Sequence, residues 1–246
     1  MPIIYLSPST QERNYYVTGG TEEQYMNQLA DLMVPYLDAS GIRYTRNTPS
    51  MTAASSIAAS NSGNYDLHLA LHSNAAPEGR YGTVRGSIVF YYPGSTQGKR
   101  AAEIFANNLR AIYPLPDLVR AQPTTTIGEV RRVRAPSVFL ELAYHDNTED
   151  ALWIQNNLEE IARNLVLSLT EYFGIPFLTP VPARSGMVDV DWGALNIRSR
   201  PDLRAPVLAQ APDGAALTII NQWQNWYLVN YNGTIGYASR DYITLN

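Results

Sequence analysis

Cysteine is absent from this chain of 246 residues. Disulfide bonds, cysteine nucleophiles and thiolate metal sites are therefore excluded, because each of them requires a thiol. Histidine is scarce as well, with only His68, His72 and His145. Any imidazole chemistry must use one of these three side chains.

The chain also lacks an excess of positive charge and any long hydrophobic run. Lysine and arginine together number 18 against 22 aspartates and glutamates, which gives a formal net charge of -4. A nucleic-acid-binding domain would need a basic face, and a membrane span would need about 20 apolar residues in a row. We therefore expect neither nucleic acid nor membrane as a partner. No secretory signal is visible at the N-terminus, so the sequence leaves the route of export open.

The order of the predicted elements divides the chain into two parts. Apolar runs alternate with helical periodicity up to about residue 175, which predicts an α/β domain with a mostly parallel sheet flanked by helices over residues 1–175. Residues 176–186 contain two prolines after Pro176-Phe177 and suit a semi-rigid linker. Residues 187–246 show short alternating strands and turn dipeptides such as Asn232-Gly233, which predict a small all-β barrel.

Residue propensities and helical periodicity also predict the individual helices, loops and strands. Helices are expected at about 21–39, 52–62, 97–113 and 148–173. Pro35 lies inside the first of these and should kink or end its last turn. Pro114–Thr126 reads as a loop, and Val130–Val133 as a short strand.

Three predicted strands end in polar residues. Tyr65–Ala75 reads as a buried strand whose apolar run stops at a polar cluster, so that His72 lies at the strand exit. Ser7–Thr10 closes the first apolar run of the chain in the same way, and Glu141 lies near the end of another. In open α/β sheets, ligands collect beyond the carboxyl ends of the strands. If the three strands are parallel neighbours, these residues share one rim.

Glu22 lies in the first turn of the first predicted helix. Spacings of four, seven and eleven residues place it on the same face as Met26, Leu29 and Met33. Because that face should be buried, Glu22 is expected to point toward the sheet, and Glu23 less so. The alternative is that both are ordinary first-turn carboxylates favoured by the helix dipole.

The second part of the chain carries a series of motifs in a fixed order: Leu195–Pro201, Asp213-Gly214, Trp226–Val229, Gly236–Ala238 and Tyr242-Ile243. In order and spacing it resembles the bacterial SH3-like (SH3b) wall-binding domain over its whole length. That resemblance implies non-covalent binding to cell-wall peptidoglycan, often to its peptide stems.

Aromatic side chains supply contact area at little entropic cost, so the aromatic residues of the barrel are candidates for the ligand face. We expect Trp226 to belong to the core of the barrel. The candidates for ligand contact are Trp192, Trp223, Tyr227 and Tyr231.

The first part carries three motifs: Glu22 at the start of a helix, Asp66–Ala75 with His72 and Asn74, and Ala135–Tyr144 with Glu141. Together and in this order they resemble the zinc-dependent N-acetylmuramoyl-L-alanine amidases of the amidase-3 type, over nearly all of residues 2–175. The resemblance implies that Glu22 and His72 bind Zn²⁺ and that Glu141 is catalytic.

One departure from the family matters. Where the family places its first zinc histidine, in an Asp-Pro-Gly-His turn after the first strand, this chain has Ser7–Thr10. A catalytic zinc needs about three protein ligands. His68 precedes His72 by four residues, which places the two ~13 Å apart at ~3.3 Å per residue, too far to share the ion. We therefore expect a structural role for His68. The remaining alternatives are His145, four residues past Glu141, a weak oxygen from Ser7, Thr10 or Gln11, or a metal-free site. Of these alternatives, we expect His145 to be the third ligand.

The predicted function is zinc-assisted hydrolysis of the amide bond between N-acetylmuramic acid and the L-alanine of the stem peptide. Glu141 would take the proton of the attacking water and deliver it to the leaving amine. Asn74, Arg131 and Arg132 are expected to bind substrate, since arginines can hold a carboxylate of the stem. The same arginines could instead pair with Glu141.

Two other hypotheses remain. The first is a wall-binding protein whose amidase-like domain has lost its metal and binds peptidoglycan without cutting it. The second, weaker one is an enzyme that cleaves another amide bond of the stem. In each case we expect a monomer that acts at the bacterial cell wall.

Overall fold

The computed structural model describes residues 1–245, and they fall into two compact units. The larger unit comprises Ile3–Val34 and Tyr44–Tyr172. The other comprises Met1–Pro2, Pro35–Arg43 and the chain from Phe173 onward. None of the helices in the described part of the chain has the length and apolar character that crossing a bilayer would require.

The first part of the chain forms a mixed, mostly parallel six-stranded sheet with helices, in agreement with the predicted fold class. Its strands are β1 Ile3–Pro8, β2 Arg43–Arg46, β3 Leu67–Asn74, β4 Ser87–Tyr91, β5 Val119–Pro123 and β6 Ser137–Tyr144. Its helices are α1 Glu22–Ala39, α2 Ala53–Ser62, α3 Thr96–Arg110, α4 Gly128–Arg131, α5 Thr148–Asn156 and α6 Leu158–Phe173. The strand order is β2-β1-β3-β6-β4-β5.

The central strands β1, β3 and β6 run parallel to one another, whereas β4 is antiparallel to β6. Strands covered on both faces read as nearly continuous apolar runs, and this is why β3 and β6 are visible in the sequence. Leu69, Leu71 and Leu140 are fully buried in them. The three parallel strands therefore end at one edge of the sheet.

Two local predictions around residues 114–133 are wrong. The predicted loop contains β5, an edge strand that pairs only with β4 and whose polar residues give no apolar pattern. Val130 lies in the short helix α4 and packs against Ala70 and Phe139, so the predicted strand is absent there. Short apolar runs cannot be assigned to helix or strand by periodicity alone.

The helices also differ in two places from what the sequence predicts. α1 continues past Pro35 to Ala39, and Leu37 in that last turn is fully buried. Burial of its apolar face offsets the one hydrogen bond that proline removes. The predicted helix 148–173 is interrupted at Asn157, whose side-chain amide donates to the carbonyl of Trp153 at 2.7 Å. Such a bond competes with the backbone ladder.

The second part of the chain is an antiparallel seven-stranded sheet with the order β13-β7-β10-β11-β12-β8-β9. Its strands are β7 Arg184–Val188, β8 Ala194–Arg198, β9 Val207–Pro212, β10 Ala216–Trp223, β11 Trp226–Tyr231, β12 Thr234–Ser239 and β13 Ile243–Leu245. Strand β7 begins inside the range 176–186 that the sequence assigns to a linker. The alternating residues of these strands form one apolar core, which includes Ile197, Leu217 and Val229.

Candidate active site

The carboxyl ends of β1, β3 and β6 bring the predicted site residues to one rim. Leu71 pairs with Pro8 of β1, and the backbone N–H of Ser9 donates to the Leu71 carbonyl at 2.9 Å. On the other side of β3, His72 pairs with Glu141 of β6. Residues paired in neighbouring strands project to the same face of a sheet, so His72 and Glu141 lie side by side.

Glu22 contacts His72 directly. Its Oε1 lies 2.7 Å from His72 Nδ1, and its Oε2 accepts a hydrogen bond from the Asn14 side chain at 2.6 Å. Glu22 is fully buried at the start of α1, whereas Glu23 is half-buried. Burial alone would raise the pKa of Glu22, but the hydrogen bonds and the charge of His72 hold it below its ordinary value.

Gln11 is the third side chain at the site, beside Glu22 and His72. Its Nε2 lies 3.3 Å from His72 Nδ1, while its Oε1 accepts a hydrogen bond from Asn14 at 3.0 Å. Two ligands of a tetrahedral zinc with bonds of ~2.1 Å are separated by roughly 3.4 Å. The side-chain amide of Gln11 therefore lies at about the distance from His72 that separates two zinc ligands. Rotation of the amide by 180° would place its oxygen, in place of its nitrogen, at this distance.

His145 contacts Ser73 and Tyr16, so its contacts do not support the prediction that it is a third ligand beside Glu22 and His72. Its Nδ1 lies 3.0 Å from both the hydroxyl and the carbonyl oxygen of Ser73, and its ring stacks on Tyr16. The backbone N–H of His145 also donates to the carbonyl of Asn74 at 2.8 Å, which pins the turn after β6. Within residues 1–245, no three His, Asp or Glu side chains are grouped so as to hold a metal ion.

One oxygen of the Glu141 carboxyl group is shielded from water, although the residue as a whole is half-buried. Its Oε2 is buried and has no hydrogen-bond partner, and no ion pair joins Glu141 to an arginine in the described part of the chain. Burial raises the pKa of Glu141 to about 8. The positive charge of His72 opposes this rise, and the negative charge of Glu22 adds a smaller contribution to it. A carboxyl group with these properties can exchange a proton near neutral pH.

The sequence interpretation missed Glu129 of α4. This buried carboxylate lies on the Nε2 side of His72, with its Oε2 3.8 Å from that nitrogen. Burial disfavours the charged imidazole, yet Glu129 and Glu22 together raise the pKa of His72 to about 10. No local signal marks Glu129, because α4 comprises only four residues and the residues that follow Glu129 predict a strand.

His68 and Asn74 are held by structural contacts. The Nδ1 atom of His68 lies 2.9 Å from the Ser60 hydroxyl, and its ring stacks on Tyr5, so the expected structural role agrees with its surroundings. Asn74 is half-buried, and its side-chain oxygen accepts a hydrogen bond from the N–H of Ala75 at 2.9 Å.

Arg131 and Arg132 are exposed at the end of α4. Arg131 lines a cavity of about 360 Å³ together with Pro136 and Ser137. Ser137 begins β6, whereas Glu141 lies near the other end of this strand. The structure therefore places Arg131 at the start of β6, away from the strand end that carries Glu141.

The aromatic residues of the barrel divide differently from the prediction. Trp192 is 88% exposed and lines a groove of about 610 Å³, and Trp223 is exposed outside that groove. Tyr227 is only 3% exposed and belongs to the core, so its prediction as a ligand-face residue is wrong. Trp226, expected in the core, is partly exposed and lines the groove. Adjacent residues of a strand point to opposite faces, and placing Tyr227 with Val229 inside turns Trp226 outward.

Comparison with known families and structures agrees with this architecture. Residues 9–171 match the N-acetylmuramoyl-L-alanine amidase family of the amidase-3 type, and residues 193–244 match the bacterial SH3 domain. No curated protein matches the chain.

Solved structures similar to this chain include the N-acetylmuramoyl-L-alanine amidase AmiC2 of Nostoc punctiforme, with 15% identity, a TM-score of 0.61, and coverage of 70% of this chain and 97% of that one. The catalytic domain of CwlV from Bacillus (Paenibacillus) polymyxa shares 13% identity with a TM-score of 0.61, over 72% of this chain and 100% of that one. The catalytic domain of the CD27L endolysin targeting Clostridia difficile shares 21% identity with a TM-score of 0.57, over 70% and 97%. At these identities the structures establish the fold, and the family match covers more than half of the sequence. The chain belongs to the amidase-3 family of N-acetylmuramoyl-L-alanine amidases and carries a bacterial SH3 domain after it in the sequence.

Proposed function

We propose that this protein hydrolyses the amide bond between N-acetylmuramic acid and the L-alanine of the peptidoglycan stem. The observation that carries the proposal is the convergence of three ionisable groups at one rim. His72 and Glu22 are in contact at 2.7 Å, and Glu141, whose Oε2 is buried without a hydrogen-bond partner, lies beside His72 in the next strand. Buried ionisable groups without a structural partner are typical of active sites.

A zinc ion fits this donor set when Gln11 is counted with Glu22 and His72. The carboxylate and the imidazole are common zinc ligands, and the amide oxygen of Gln11 is a weaker, neutral one. His145 would have to leave Ser73 in order to join them. When bound, zinc would polarise the substrate carbonyl and lower the pKa of a bound water.

In this proposal Glu141 moves the proton. At neutral pH, a carboxyl group with a pKa of about 8 is protonated for most of the time, so its minor ionised form carries the activity. In that form Glu141 would accept a proton from the attacking water and then donate it to the nitrogen of the departing L-alanine. Its burial excludes bulk water, which would otherwise exchange with the transferred proton.

The SH3 domain would hold the protein on its polymeric substrate. The exposed ring of Trp192 and the groove that it lines with Trp226 and Tyr242 offer an apolar and aromatic surface for a peptide stem. Trp223 is a second exposed contact residue outside the groove. Tethering raises the effective concentration of scissile bonds near the catalytic domain.

A second function, peptidoglycan binding without cleavage, is favoured by one observation. The third donor at the site is an amide, and among residues 1–245 no group of three His, Asp or Glu side chains could hold a metal. A neutral amide binds zinc weakly compared with imidazole, so the site could be empty at ordinary zinc concentrations.

Digestion of purified peptidoglycan tests both proposals. The wild-type protein and Glu141→Gln are incubated with cell walls, with and without added zinc, and the products are analysed by mass spectrometry and by labelling of new amino termini. We expect free L-alanine amino termini from the wild type only, with equal wall binding by both proteins. Glu78→Gln, at an exposed position, is the matched control and should cleave like the wild type.

The products also distinguish the alternatives. New amino termini on a residue other than L-alanine would indicate cleavage of another stem bond. Wall binding without any product, at every zinc concentration, would refute hydrolysis and leave the binding protein as the better account.

A further inference from the structure

Glu129 is a buried carboxylate that the proposed reaction does not use. Only 5% of the residue is exposed, and burial of a charged group is costly unless other groups compensate it. Its Oε1 accepts a hydrogen bond from the hydroxyl of Ser7 at 3.0 Å. Its Oε2 has no hydrogen-bond partner and lies 3.8 Å from the Nε2 atoms of both His68 and His72.

These contacts place His72 between two carboxylates. Glu22 faces Nδ1 at 2.7 Å, and Glu129 faces Nε2 from the opposite edge of the ring. The face of the ring stacks on Phe139, with 4.1 Å between the ring centroids. An imidazole that is flipped by 180° about its χ2 angle would no longer present Nδ1 to Glu22 and Gln11, and the two carboxylates are the charged groups that face its ring nitrogens in this orientation.

Ser7 lies near the end of β1, in the stretch Ser7–Thr10 where this chain departs from its family. Its hydroxyl holds Oε1 of Glu129 and also accepts a hydrogen bond from the side chain of Asn47 at 3.3 Å. Ser7 is 122 residues from Glu129 in sequence, so this bond joins the end of β1 to α4. The free oxygen of Glu129 is thereby directed toward the two histidines.

We propose that Glu129 is a positioning residue that fixes the orientation of the His72 ring, so that Nδ1 faces Glu22 and Gln11. The consequence for catalysis rests on the proposed function, but the orientation itself does not. The equal distance to His68 offers an alternative, in which Glu129 serves only the buried structural histidine. Carboxylates behind a functional imidazole generally set the ring orientation, and their loss costs roughly 10–100-fold in metal affinity or activity.

The test is nuclear magnetic resonance of the metal-free protein labelled at histidine. Three histidines give three sets of ring signals, and each sits in a different environment. In the wild type we expect one set of His72 signals with a nuclear Overhauser effect to Phe139. In Glu129→Gln, which keeps the size of the side chain and the Ser7 contact, we expect the His72 signals to split or broaden as the ring samples both orientations. The signals of His145 should be unchanged.

Unchanged His72 signals in Glu129→Gln, with changes confined to His68, would overturn the proposal in favour of the structural role. If Glu129→Gln does not fold, Ser7→Ala provides the same test, because it releases Oε1 and leaves the charge in place. Broadened His72 signals in Ser7→Ala would support the proposal, and a wild-type spectrum would overturn it.

A second measurement keeps this inference distinct from the proposed function. Calorimetry with zinc alone should show roughly 10–100-fold weaker binding to Glu129→Gln than to the wild type. If the wild type binds no zinc, the metal part of the proposed function fails, while the ring signals of His72 still decide the role of Glu129. Equal zinc affinity of the two proteins would contradict the positioning role.

Discussion

Replacing Glu141 by glutamine should separate activity from stability. The substitution removes the carboxyl group that we propose as the proton carrier, so cleavage should be lost. It also removes a carboxyl group whose surroundings in the fold favour the neutral form over the charged form. A glutamine of nearly the same shape avoids the cost of ionisation, so the variant should be more stable than the wild type at alkaline pH.

The size of the effect follows from the pKa. The difference between a native pKa of about 8 and the ordinary 4.5, at about 1.36 kcal/mol for each pH unit, gives a ceiling of about 5 kcal/mol. Because the fold can relax and admit water around a charge, we expect about 2–4 kcal/mol. Because the native pKa of Glu141 is raised, the stability that its protonated form contributes to the wild type is complete below pH 4.5. That contribution is lost as the pH rises through about 8.

Denaturant unfolding of metal-free protein at about pH 5 and about pH 9 measures this effect. The difference in unfolding free energy between Glu141→Gln and the wild type should shift by about 2–4 kcal/mol in favour of the variant between the two pH values. Taking the difference cancels the other groups that titrate in both proteins. Glu78→Gln, in which an exposed carboxyl is replaced, should show no such shift. A pH-independent difference for Glu141→Gln would refute the high pKa and weaken its role as proton carrier.

Three further predictions concern the metal, the wall and the fold. Gln11→His should tighten zinc binding, measured by calorimetry, by roughly 100–1000-fold. Sites with four ligands bind zinc with about 10–16 kcal/mol in total, and one good ligand contributes about a quarter of that. The control Thr10→His, one position earlier, should have little effect. Trp192→Ala should weaken sedimentation with purified cell walls by roughly tenfold while cleavage of soluble muropeptides persists, since an exposed aromatic in a groove is a common hot spot. Asp150→Asn should lower the free energy of unfolding by about 3–5 kcal/mol, because this fully buried carboxylate accepts four hydrogen bonds. The control Glu149→Gln, at the neighbouring exposed position, should change the free energy of unfolding little.

The parts of the fold that the sequence predicts correctly are those with a strong local pattern. The strand ending in His72 and the strand carrying Glu141 are doubly covered, so each appears as a continuous apolar run. The regular face of α1 places Glu22 inward, where the structure brings it to His72. The edge strand β5 and the four-residue helix α4 lack such a pattern, because neither has a continuous buried face.

The sequence by itself determined the two-part architecture and the positions of Glu22, His72 and Glu141 at helix starts and strand ends. Periodicity of apolar residues and the ends of apolar runs are local properties of the chain. Only the tertiary structure decided what surrounds them. It set Gln11 beside His72 across 61 residues and turned His145 onto Ser73. It also placed Glu129 opposite the Nε2 edge of the His72 ring. These contacts join side chains from separate loops and helices, and their partners depend on how the sheet packs and not on the neighbouring sequence.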